Sequence, residues 1–119
     1  MKLGYLIMLA AMLAGCAMGA GPSVTLTHLR GGVYVAVDMF YVQENSVVYV
    51  GPEHVTVVGA TWTPETARLL AAEVRKVTSK PIREVIVPDY HADRSGGSPY
   101  FRSIGAKVVS RRQTVDLLK

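Results

Sequence analysis

The hydrophobic pattern of the chain changes period once, near Thr63, and that change limits the folds open to it. Before it, Val24–Leu29 alternates apolar and polar residues, and 33–37, 46–50 and 55–59 are β-branched runs. A period of two is what a half-buried strand requires, because successive side chains leave opposite faces of the backbone. Arg30-Gly31-Gly32 and Gly51-Pro52-Glu53-His54 supply turns, so this stretch reads as an antiparallel meander. After it, Thr63-Pro64-Glu65 offers an N-cap, a proline at the first helical position and a first-turn acid. Ala67, Leu70, Ala71, Val74 and Val77 then recur at helical spacing, which predicts an amphipathic helix over 64–77 that Ser79-Lys80-Pro81 ends. A strand at 83–87, a polar loop at 88–97, a short helix near 99–104, a strand at 107–110 and a helical start at 114–119 follow. A meander joined to strand–helix units implies an α/β fold, a mixed sheet with helices packed on it. In such sheets the functional crevice lies beyond the carboxyl ends of the strands, where the 88–97 loop falls.

Composition narrows the class. A chain of 119 residues accommodates one domain, and 50% hydrophobic with 18% charged residues is too apolar for intrinsic disorder. The net charge of +4 comes from Lys and Arg interspersed with Asp and Glu, so no nucleic-acid partner is expected. One cysteine excludes an intrachain disulfide and any zinc site built from several thiolates. Any metal held by this chain must therefore use histidine and carboxylate. The cysteine closes Leu13-Ala14-Gly15-Cys16, after Lys2 and the short apolar run 6–13. That layout reads as an export signal over 1–19 with a bacterial lipobox ending at Cys16, and leaves 20–119 as the mature part. A conventional cut after Ala17-Met18-Gly19, which discards Cys16, is the alternative. Both export the protein to the periplasm, the first with a lipid anchor on Cys16.

The chemistry concentrates in Pro88-Asp89-Tyr90-His91-Ala92-Asp93-Arg94-Ser95-Gly96-Gly97. Asp89, His91 and Asp93 occupy alternate positions, which on an extended segment share one side and could converge on a metal or a proton. Arg94 could instead be a surface partner of Asp89 or Asp93. His28 and His54 lack acidic or histidine neighbours at ligand spacing and are expected to be structural or exposed. Trp62, Tyr34, Tyr41 and Tyr49 are expected to be packing aromatics, the tyrosines on strands.

The loop resembles the active-site loop of metallo-β-lactamases, whose common pattern is H-x-H-x-D. It is most similar to the narrow-spectrum, carbapenem-hydrolysing subclass, which reads N-Y-H-T-D-R-A-G-G. The similarity extends to Val55–Pro64, to Ser103–Ser110 and to Arg112-Gln113-Thr114. The resemblance implies the N-terminal half of an αββα sandwich, truncated at its C-terminus. It also implies zinc-dependent hydrolysis of the β-lactam amide, conferring antibiotic resistance in a full-length, monomeric enzyme. By position His91, Asp93 and Arg94 would be the catalytic group, and Asp93, His91 and Asp89 the residues nearest a metal. The chain departs from the pattern at Asp89, where the subclass has asparagine and other subclasses usually have histidine. The subclass's remaining zinc ligands, a cysteine and a histidine, come from the second half of the fold, so the chain alone is expected to be inactive. A superfamily hydrolase with another substrate, or a non-catalytic lipoprotein remnant, are the alternatives.

Overall fold

Six strands pair in the order in which the chain makes them, and the mode of pairing changes where the hydrophobic period does. The computed structural model describes residues 21–119, so the expected export segment and Cys16 lie outside the described residues. Strands β1 (Val24–Arg30), β2 (Val33–Asp38), β3 (Glu44–Val50), β4 (Val55–Val58), β5 (Ile82–Val87) and β6 (Lys107–Ser110) form one sheet in that order. The turn-linked strands β1 to β4 are antiparallel, whereas β4–β5 and β5–β6 are parallel. Parallel neighbours need a crossover, which helix α1 (Pro64–Val77) supplies between β4 and β5. Between β5 and β6 the crossover is two short helices, α2 (Ala92–Ser95) and α3 (Ser98–Ser103), and α4 (Arg112–Leu117) follows β6.

Helix α1 has the bounds its pattern predicts, and Thr63 caps it. The capping box is closed by a second threonine rather than an acid: Thr63 Oγ1 accepts from the Thr66 N–H and Thr66 Oγ1 from the Thr63 N–H, each at 3.1 Å. Two orphan donors of the first turn are thereby satisfied. Glu65 near the start and Arg75 and Lys76 near the end suit the helix dipole. The helix buries Ala67, Leu70, Ala71 and Val74 against Val48, Val57 and Val85 of the sheet and Phe101 of α3. Val77, the last position of the expected stripe, is exposed because the helix ends there. No helix among the described residues is long and apolar enough to cross a membrane.

The opposite face of the sheet is also apolar. Register aligns Val35, Val47, Val58, Ile86 and Val109 in one row across five strands. None of the five belongs to the buried core, and Val47 is 41% exposed. A sheet with apolar rows on both faces has the pattern of a middle layer rather than an outer one.

Two expectations change. The 88–97 segment is not extended throughout, because it winds into α2 after His91, and α3 starts one residue before Pro99. Tyr41 is not on a strand: it sits in the β2–β3 loop, 79% exposed, with its ring edge-on to Trp62 at 5.8 Å. Trp62 is half-buried and donates from Nε1 to the Val42 carbonyl at 3.1 Å, which ties the two loops together.

Candidate functional site

Strand β5 ends at Val87 and the chain leaves the sheet through Pro88, so the loop stands at the carboxyl end of the parallel strands. Asp89 folds back onto the residue two ahead, where one carboxylate oxygen accepts from the His91 backbone N–H and meets His91 Nδ1, both at 2.9 Å. The backbone N–H and then the ring hold the Asp89 carboxyl below its ordinary range, so it stays ionised and can only accept. His91 Nδ1 therefore donates, and Nε2 is the ring nitrogen not engaged with Asp89. The exposed ring stacks on Tyr90 at 4.5 Å. His28 and His54 are exposed as expected, and His28 is engaged with the Gly31 carbonyl at 2.8 Å.

Asp93 is carried away from this pair by α2. Extended backbone stops at His91, so the alternation that would aim all three groups to one side is lost at the third. Asp93 instead has its Oδ2 4.0 Å from Arg94 Nε. Arg94 finds its main partner elsewhere. Its Nη1 donates to Glu44 Oε1 and to the Asn45 carbonyl, each at 2.6 Å. Neither surface partner expected for it from the sequence is the close one.

Glu44 and Asp38 are the residues that sequence reasoning missed. They face each other at the ends of β2 and β3, and both are buried. Asp38 accepts from the Phe40 N–H at 2.9 Å and the Trp62 N–H at 3.1 Å, which closes the β2–β3 loop over the start of α1. Glu44 accepts from Ser46 Oγ at 3.1 and 3.2 Å. Burial pushes the Glu44 carboxyl up to about 7, against the opposing pull of Arg94 and of the Ser46 hydroxyl. One signal could have found Glu44. It shares the strand parity of Ser46 and Val48, the buried side of β3, so a charge there is a charge facing inward.

The Gly-Gly pair fixes the loop's distance from the sheet. The N–H of Ala60 donates to the Arg94 carbonyl at 2.8 Å and that of Gly97 to the Thr61 carbonyl at 3.3 Å. A Cβ on Gly96 would collide with the Trp62 carbonyl, and one on Gly97 with the Ala60 carbonyl. Thr61, at the centre of this contact, is buried with φ at 65°, a left-handed conformation unusual for a branched residue. A cavity of about 460 Å³ opens beside α2 and α3, lined by Val87, Ser95, Ser98, Arg102 and Ser110 among others, and none of Asp89, His91, Asp93 or Arg94 faces it.

A zinc centre needs about three protein ligands and a water. Asp89 and His91 are together but already engaged with each other, and Asp93 lies apart beside Arg94. Among the described residues no group of three His, Cys, Asp or Glu side chains is placed to hold a metal ion. The described residues therefore do not by themselves complete a zinc site.

Comparison with known proteins converges on one family. Residues 40–117 match the model of the metallo-beta-lactamase superfamily. The type 2 metallo-beta-lactamase of Elizabethkingia meningoseptica is 30% identical over 124 aligned positions, covering 98% of this chain and 50% of the relative. That of Bacillus cereus is 26% identical over 102 positions, 82% of this chain and 40% of the relative. A metallo-beta-lactamase of Pseudomonas aeruginosa in its mono-zinc form superposes with a TM-score of 0.77 at 18% identity, over 82% of this chain and 46% of the other. One from Hirschia baltica superposes at 0.76 and 20% identity, over 81% and 47%. The chain thus spans about half the length of the relatives it matches, or less.

Proposed function

The chain belongs to the metallo-beta-lactamase superfamily, and from that premise we propose that it forms the N-terminal half of a zinc-dependent enzyme that opens the β-lactam amide. The observation that carries the reading is the placement of Asp89, His91, Asp93 and Arg94 on one loop at the carboxyl end of β5, within the stretch that matches the family. In this reading the ionised Asp89 orients the His91 ring and leaves Nε2 free to accept a proton or hydrogen bond at the substrate. Asp93 offers a carboxylate and Arg94 a fixed cation beside it. The apolar row Val35–Val47–Val58–Ile86–Val109 supports the same reading, as the face on which a second sheet layer would sit. We extend the proposal to carbapenems as substrate and to a monomeric whole enzyme, on the resemblance of the Tyr90-His91-Ala92-Asp93-Arg94 segment to that subclass.

The ligands still needed are proposed to come from outside this chain. The 119 residues alone are therefore expected to show no carbapenem turnover above background in zinc buffer, whereas a gene product extended past Lys119 turns over and loses activity on chelation. Misplacing a reacting group by about 1 Å costs on the order of 100-fold in rate, so a loop with an incomplete ligand set should fall well below that. The check is hydrolysis followed by absorbance, with a His91→Ala, Asp93→Ala double variant as control. Robust turnover by the 119 residues that vanishes in the double variant would show that no outside ligand is needed. A second reading, a non-catalytic remnant, is favoured by the absence of a three-donor group among the described residues. An inactive extended product would decide for it.

Export to the periplasm and lipidation at Cys16 are proposed from Leu13-Ala14-Gly15-Cys16. Mass spectrometry of the mature N-terminus from a bacterial host is expected to find a diacylated or triacylated Cys16. An unmodified terminus at Ala20 would rule the anchor out.

A further inference from the structure

Helix α2 is a single turn that cannot hold itself in place. It spans Ala92–Ser95, has no side-chain cap and buries no residue, and one helical turn is unstable in isolation. Yet it carries Asp93 and follows directly on His91. The backbone bond from the Ala60 N–H to the Arg94 carbonyl, at 2.8 Å, fixes one point of the turn. The other anchor is a side chain reaching across a sequence separation of 50 residues, where Arg94 Nη1 meets Glu44 Oε1 at 2.6 Å.

We propose that Glu44 is a positioning residue for the 88–97 loop, its buried carboxylate holding the Arg94 guanidinium and, through it, the turn that carries Asp93. The surroundings are arranged for that contact. Ser46 Oγ stands 3.1 and 3.2 Å from the two Glu44 oxygens, so the Glu44 carboxyl has a partner on its own strand besides the arginine. The same Nη1 donates at 2.6 Å to the Asn45 carbonyl, which defines the guanidinium from two directions. Gly59 leaves the approach open, since a Cβ there would stand 3.0 Å from Ser46 Oγ, 3.4 Å from Glu44 Oε1 and 3.6 Å from Arg94 Nη1. The asymmetry of burial gives the direction of control: the Glu44 side chain is 1% exposed and the Arg94 side chain 33%. The buried member is fixed by the sheet, and the exposed member belongs to the loop. Glu44 touches no candidate ligand and acts through Arg94.

The role rests on the reading of this loop as metal- and substrate-facing, and the test separates the two. Hydrogen–deuterium exchange of the 88–97 segment, read by mass spectrometry, is measured for the chain and for Glu44→Gln, Arg94→Gln and the double variant. Zinc affinity by equilibrium dialysis runs alongside. Each single variant is expected to speed exchange of the loop about tenfold while the sheet keeps its protection, and the double variant to be no faster than either single. Where the loop holds zinc despite its incomplete ligand set, Glu44→Gln is expected to weaken that binding about tenfold or more, the usual cost of removing a residue that orients a ligand-bearing element. Val48→Ala, which loosens the sheet core, should instead raise exchange evenly. Loop exchange unchanged in Glu44→Gln, or additive effects in the double variant, would overturn the proposal. If Glu44→Gln does not fold, the part-exposed Arg94→Gln decides alone, by the same loop-specific increase or its absence. If the parent chain binds no zinc, the metal reading of the isolated loop fails, and the exchange result still decides for or against Glu44.

Discussion

Replacing Gly97 with alanine is expected to cost about 3 kcal/mol or more and to detach the site loop from the sheet. The reason is proximity rather than backbone freedom, since Gly97 has an ordinary φ of −81° that any residue adopts. A Cβ there would collide with the Ala60 carbonyl oxygen and stand 2.7 Å from both Ala67 Cβ and Thr61 Oγ1. Two of those atoms belong to the β4–α1 connection and the third to the first turn of α1, which is buried there, so nothing nearby can give way cheaply. Gly105→Ala is the matched control. Gly105 has φ at 86° but no atom within 4 Å of its added Cβ, so its substitution should cost only the left-handed strain, about 1–2 kcal/mol. Denaturant unfolding of both variants checks the contrast. Equal losses at the two positions would mean that the loop is not pressed against Ala60.

The second expected result is a loss of stability as pH rises. Burial raises the Glu44 carboxyl from 4.5 to about 7. Between those values the folded chain binds the proton more tightly than the unfolded chain, so stability falls with pH across the interval. The contribution is fully present below about pH 4.5 and lost as pH passes 7. At 1.36 kcal/mol per unit the loss by pH 8 is on the order of 3 kcal/mol. Glu44→Gln removes the ionisation, so its stability should stay nearly flat over the same range and exceed that of the parent at pH 8. That outcome agrees with the behaviour of buried ion pairs, which often cost more to desolvate than they return. Urea unfolding at half-unit steps from pH 5 to pH 8 measures it. A parent curve that rises over this range would mean that Arg94 outweighs burial at Glu44. Together with the exchange experiment, the variant would then separate two effects that usually move together, a more stable sheet and a looser loop.

Much of the fold was legible because the signals that set it are local. The alternation of Val24–Leu29, the runs ending at Val50 and Val58, and the turn residues between them placed the meander to within a residue or two. Thr63-Pro64-Glu65 placed the start of α1, and Lys107–Ser110 emerged as a strand with the expected bounds. The identity of the loop, its position after β5 and its candidate residues Asp89, His91, Asp93 and Arg94 could likewise be read from consecutive letters. The apolar residues of the second sheet face were visible as β-branched runs, but which of them share a row was not, because register depends on pairing between strands.

What the sequence could not determine was how those site residues are partnered. The alternation of Asp89, His91 and Asp93 implies convergence only if the backbone stays extended, and Ala92–Ser95 turns helical instead. Asp89 is turned to its neighbour His91, and Arg94 to a carboxylate 50 positions earlier, choices made by distances that exist only once the sheet has formed. Glu44 lies outside the β-branched run at 46–50, and only because β3 begins two residues before that run is it turned inward. The local pattern therefore determined the elements and the place of the loop that carries the candidate site. The tertiary structure decided which charges are buried and whom they meet, because desolvation and ion pairing depend on three-dimensional proximity that no spacing along the chain encodes.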